Sequence, residues 1–167
     1  MSIPLAVRIE GVKNLADLIP VNRNCVYVRY RAKIGSAGQQ NFTPTAATTG
    51  NIDLAVPGGL LVEAVHMSLI TAFSGGSVSA ATLSVGTTGS PATYLAATNV
   101  FTGATAGGAV TIGSGAGLGN YAGGNSTPTA VGTIRIQLIT TTANLSALTA
   151  GAADIFLRLR ATTVRTS

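Results

Sequence analysis

Apolar residues in this chain recur at every second position, and that period restricts the fold more than any other feature. In residues 24–34, Val26, Val28, Tyr30 and Ala32 alternate with Tyr27, Arg29, Arg31 and Lys33. In residues 133–141, Ile134, Ile136 and Leu138 alternate with Arg135 and Gln137. In residues 153–164, Ile155, Leu157 and Leu159 alternate with Phe156, Arg158 and Arg160. Successive side chains of a strand point to opposite faces, so the pattern describes strands with one buried and one wet face. No segment keeps a helical period over three turns.

Shorter strands are expected at residues 51–56, closed by Pro57, Gly58 and Gly59, and at residues 80–86, 93–101 and 107–115. Residues 60–73 form the strongest apolar run. They are rich in β-branched residues, flanked by paired glycines, and read as a central strand. Many short strands with turn signals between them predict an all-β protein, an antiparallel β-sandwich that is jelly-roll-like. Residues 23–167 read as a single β-sandwich domain. A chain of 167 residues can bury roughly 70% of its extended surface, enough for one core. Residues 1–22 read as an extended N-terminal arm. The segment GVKNLADLIP can make one short helical turn before Pro20 stops it, and Leu15, Leu18 and Ile19 need a surface to lie on.

Charge is scarce. Only 9% of residues are charged, against about 25% in ordinary globular proteins. Between Glu63 and Arg135 there is no Asp, Glu, Lys or Arg, and His66 is the one side chain there that titrates near neutrality. An apolar content of 46% argues against disorder. No apolar run approaches the length of a membrane span, and the start of the chain lacks the pattern of a signal peptide. One cysteine, Cys25, allows no internal disulfide, which fits synthesis in a reducing cytoplasm.

The residues do not read as an enzyme. The five carboxylates, Glu10, Asp17, Asp53, Glu63 and Asp154, form no close pair in sequence. His66, the single histidine, sits in an apolar strand and reads as packed or at an interface. One Cys and one His do not make a zinc site. The glycines of GSGAGLG, residues 113–119, do not open a helix, and no lysine follows Lys33, so a phosphate cradle is not expected. Residues 113–132 read as a turn-rich surface loop. No catalytic residue, metal or cofactor is expected.

The net charge of +5 is gathered at the two ends of the sequence. Arg29, Arg31 and Lys33 share one strand face, and Arg158 and Arg160 share another. If those strands are neighbours, one sheet face is positive. Such a face is either solvated or meets an acidic partner: a carboxylate-rich protein, a neighbouring subunit, or nucleic acid. Nucleic acid is the least favoured, because lysine and interleaved aromatics are few.

A neutral surface of Ala, Gly, Thr and Ser invites association, which suits a subunit of a permanent shell. Residues 58–100, GGLLVEAVHMSLITAFSGGSVSAATLSVGTTGSPATYLAATNV, carry an apolar strand ending in AF, a GG turn, a TLSVG strand, a Gly/Pro turn and then YLAAT. This texture resembles small β-sandwich virion proteins of tailed bacteriophages. The resemblance implies a head decoration or cement protein on the capsid surface, made in the host cytoplasm. It implies the major capsid protein and further copies of the chain as partners, as trimers on three-fold axes or dimers on two-fold axes. The arm would clamp neighbouring capsid subunits. The alternative is a head-fibre or tail module that binds a receptor glycan, for which Tyr94, Asn120, Tyr121 and Asn125 are the candidates.

Overall fold

The alternating segments become strands that pair in two sheets. The computed structural model describes residues 7–8, 25–34, 42–56, 60–102, 110–112 and 132–161. In chain order the strands are β1 (Val7–Arg8), β2 (Cys25–Lys33), β3 (Thr49–Ala55), β4 (Leu60–Ser74), β5 (Ala80–Gly86), β6 (Leu95–Asn99), β7 (Val110–Ile112), β8 (Thr133–Thr141) and β9 (Ala150–Ala161). A single 3-10 turn, Leu145–Ala147, joins β8 to β9. The strands expected from the period of two all appear. β1 was not foreseen.

The first sheet has the order β1-β2-β9-β4-β7 and the second β3-β8-β5-β6. All pairs are antiparallel except β1 with β2, where Val7 stands beside Val28. Numbered from β2 as the first strand, the two sheets run 1-8-3-6 and 2-7-4-5. That is the order of a jelly roll, two interlocked Greek keys. β1 is an addition at the open edge of β2. It lies within the expected arm. Residues 9–24, which include Leu15, Leu18 and Ile19, lie outside the described residues, as does the 113–131 part of the Gly-rich loop.

The inward-facing residues of both sheets form one core. Val28, Tyr30, Val65, Met67, Leu69, Ile155 and Leu157 come from the first sheet, and Ile52, Leu54, Leu83, Val85, Ile134, Ile136 and Leu138 from the second. Burial pushes the Tyr30 hydroxyl well above its ordinary pKa. β4 breaks register with β9 between Val62 and Ala64, and again between Leu69 and Ser74. These bulges bend the long strand and leave Ile70 40% exposed.

Where β9 begins, its backbone passes against the ring of Phe73. Gly151 has φ +149°, and a Cβ there would lie 2.3 Å from Phe73 Cδ1. Phe73 is fully buried and has no room to retreat. Both the left-handed backbone and the clash require glycine. Gly151→Ala should therefore lose about 2–4 kcal/mol of stability. Urea unfolding of the two proteins checks this, and an unchanged midpoint would refute the close approach.

Candidate interaction face

The outer face of the first sheet gathers most of the charge among the described residues. β2 and β9 are neighbours, so Tyr27, Arg29, Arg31 and Lys33 stand opposite Arg158, Phe156, Asp154 and Ala152. β4 continues the rows, with Ala64 beside Arg158, His66 beside Phe156 and Ser68 beside Asp154. His66 in turn stands beside Ile112 of β7. It is half-buried.

At the centre sits Asp154, only 1% exposed although it is on the outer face. Arg31 Nε donates to Asp154 Oδ1 at 2.8 Å, and a terminal nitrogen of Arg31 donates to Oδ2 at 3.0 Å. Arg29 Nε donates to Oδ2 at 2.9 Å, and the Arg29 terminal nitrogen also bonds that oxygen. Two guanidinium groups thus cover one carboxylate and leave an excess positive charge. Burial pushes the Asp154 carboxyl up, but the hydrogen bonds from Arg31 and Arg29, with their charges, outweigh it. The group is held below the ordinary carboxylate value.

A second ion pair closes the end of the face, Arg158 Nε to Glu63 Oε2 at 2.7 Å. The bulge in β4 brings Glu63 there. Two guanidinium groups also lie over aromatic rings. Arg29 Cζ is 5.9 Å from the centroid of Phe156, and Arg158 Cζ is 5.7 Å from that of Tyr27. Tyr27 is 41% and Phe156 37% exposed. Arginine and aromatic residues with partial exposure are the side chains that dominate protein interfaces.

The outer face of the second sheet differs. Arg135 donates to both oxygens of Asp53 at 2.7 Å, and Gln137 donates to Asn51 Oδ1 at 3.0 Å. The hydrogen bond from Arg135 lowers the Asp53 carboxyl below its ordinary value. Arg135 also reaches the Thr88 carbonyl at 3.4 Å. Thr82 and Ser84 of β5, with Asn99 of β6 beside Thr82, make the rest of this sheet neutral.

Of the basic residues singled out in the sequence, Arg29, Arg31, Lys33 and Arg158 share one face. Arg160 stands in register with Cys25 and Leu61 at the end of β9. Sequence reading missed the two carboxylates among them. Asp154 has the same parity as Phe156 and Arg158, so it could have been placed on this face. Glu63 could not, because its position depends on the bulge. Tyr94, considered for glycan stacking, is 4% exposed, and burial raises its hydroxyl pKa. It is part of the core, while Asn120, Tyr121 and Asn125 lie outside the described residues. Among the described residues no three His, Cys, Asp or Glu side chains are grouped to hold a metal ion.

The chain is therefore a jelly-roll β-sandwich with one charged and one neutral outer face. No protein-family model matches the sequence, and no curated protein matches it. Among solved structures it is similar to a chain of the cyanophage Pam1 capsid asymmetric unit, with a TM-score of 0.50 and 14% identity. The match spans 86% of this chain and 89% of that one. At this identity the likeness is one of fold, and it extends over nearly the whole sandwich.

Asp154 carries a stability prediction with a defined sign. Its folded pKa is depressed, so its contribution is fully present above the unfolded value near 4 and is lost as pH falls from there through the lower folded value. Arg29 and Arg31 side chains are 34% and 37% exposed, so screening reduces the cost of a broken pair. Asp154→Ala should cost about 2–3 kcal/mol at pH 7, and the difference from wild type should shrink below about pH 4. Asp53→Ala, at a side chain 43% exposed, should cost less than about 1 kcal/mol. Thermal unfolding of both variants across pH tests the contrast.

Proposed function

We propose that this chain is a structural protein of a phage virion, a decoration or cement protein that binds the outside of the assembled head. The observation that carries the proposal is the nearly end-to-end likeness of this jelly roll to a chain of a cyanophage capsid asymmetric unit. The charge-poor surface supports it, since faces without charge are suited to permanent contact. The Arg/aromatic face of the first sheet supports it as well. Arg29, Arg31, Lys33, Arg158 and Arg160 would meet carboxylates of the major capsid protein.

In this reading the work is contact rather than catalysis. A protein that binds the shell and not its free subunits lowers the free energy of the shell by mass action. Copies of the chain would associate in a closed oligomer. Residues 1–22 would serve as an arm that lies along the lattice, with Leu15, Leu18 and Ile19 in apolar grooves, while residues 23–167 form the body.

Co-sedimentation with empty heads of the phage that encodes the chain, prepared without this protein, tests the proposal. Wild type should pellet with heads and raise their resistance to heat. Removal of residues 2–20 should abolish pelleting while leaving the far-ultraviolet β signal. A folded wild-type protein that stays in the supernatant overturns the reading. A truncated protein that still pellets overturns the arm.

A further inference from the structure

The two sheets have four edges, and three of them are blunted. β1 offers two residues and β7 three. β6 offers five residues, and its pairing with β5 breaks register between Leu83 and Val85. β3 is different. Its seven residues pair with β8 in unbroken register, from Thr49 beside Ile139 to Ala55 beside Thr133. It contains no Lys, no Pro and no bulge, the usual devices that keep an edge from recruiting another strand. Its one charge, Asp53, is cancelled by Arg135. Among the described residues no strand lies on its other side.

The backbone groups that face this open edge can be identified. Thr140 N–H donates to the Thr48 carbonyl at 2.8 Å, and Val56 N–H to the Gly132 carbonyl at 3.1 Å. These pairs continue the β3/β8 register by one residue at each end. Antiparallel pairs alternate between bonded and non-bonded, so even-numbered residues of β3 bond to β8. Thr49, Asn51, Asp53 and Ala55 therefore direct their N–H and carbonyl groups outward.

We propose that the β3 edge pairs with β3 of a second copy, antiparallel about a two-fold axis at Ile52, so that the two second sheets become one continuous sheet. A two-fold axis at any residue of β3 keeps each side chain on its own face and the outward groups opposed, and the central candidates are Asn51, Ile52 and Asp53. A centre at Asp53 sets two carboxylates against each other. A centre at Asn51 pairs only part of the strand. The centre at Ile52 pairs the whole strand and places Asn51 beside Asp53 of the other copy. The Asn51 carbonyl oxygen accepts from Gln137, which leaves its amide N–H groups free to donate to that carboxylate. Such a contact is isologous, the form expected of a two-fold dimer. It deepens the proposed virion role by naming one self-contact, and rests on that reading only for its purpose in the shell.

Light scattering on the purified full chain, with native mass spectrometry, tests the contact. Wild type should be a dimer or an even multiple of one. Asn51→Pro removes an outward N–H and no bond to β8, a change that edge strands tolerate. It should weaken dimerisation roughly tenfold or more with an unchanged circular dichroism spectrum. If that variant misfolds, a second one decides. Thr49→Cys with Ala55→Cys in a Cys25→Ser background should oxidise to a covalent dimer, because each Cys faces the other kind across the axis. A monomeric wild type, a folded Asn51→Pro of unchanged mass, or no covalent dimer overturns the inference. Head co-sedimentation separates this result from the function. A dimer that ignores heads defeats the virion role alone, and a monomer that binds heads defeats this contact alone.

Discussion

The pairing of β2 with β9 is the constraint on which the rest of the molecule depends. It joins the first long strand to the last, across 125 residues between Arg29 and Asp154. Until it forms, the first sheet has no centre and the core lacks one wall. Contacts of such long range carry a loop-closure cost before they contribute stability, so a jelly roll folds slowly. Asp154 ties the two strands together through Arg29 and Arg31. In the native register it lies opposite Arg31 and diagonal to Arg29. A slip of two residues in one direction would set Lys33 opposite Asp154 and Arg29 against Arg158, and in the other would set Arg29 opposite Asp154. Asp154 meets a cation in each of these registers, so it favours the pairing of the two strands as such, while only the slip that opposes Arg29 and Arg158 carries a like-charge cost.

That pairing also explains the odd distribution of charge. The basic residues lie near the two ends of the chain, and β2 and β9 bring those ends side by side. One outer face therefore collects Arg29, Arg31, Lys33 and Arg158 with Asp154 and Glu63. The strands between Glu63 and Arg135 build the remainder with Thr, Ser, Ala and Gly. The uncharged stretch is the consequence of gathering charge on one face and leaving the others neutral.

The strands were legible because a half-buried strand must alternate, and β2, β8 and β9 do so without exception across their middles. The order of those strands was less so. Nothing local in residues 25–33 says that they pair with residues 152–160, and only the exclusion of alternatives by the two-sheet architecture points to a jelly roll. β1 was invisible, because two residues carry no period. The face was half legible. The parity of the arginines put them together, but their carboxylate partners depend on register in one case and on a bulge in the other. Tyr94 shows the converse error, since an aromatic residue after a Gly/Pro turn looks exposed in sequence and yet fills the core.

A surface this poor in charge would make association indiscriminate if its edges were equally poor in protection. They are not. Shortness protects β1 and β7, and a bulge protects β6, while β3 keeps seven residues in register and a neutralised aspartate. Hydrogen bonds along a strand edge are directional in a way that apolar contact is not, because a shift of one residue turns every side chain to the wrong face. Restricting the open backbone to one edge therefore restricts strand-to-strand self-association to that edge. The charged face on the other sheet then remains available for a different partner. Under the proposed virion role, two sheets with different chemistry would let one small sandwich make two kinds of contact at once, which is the minimum that a protein holding together a larger assembly requires.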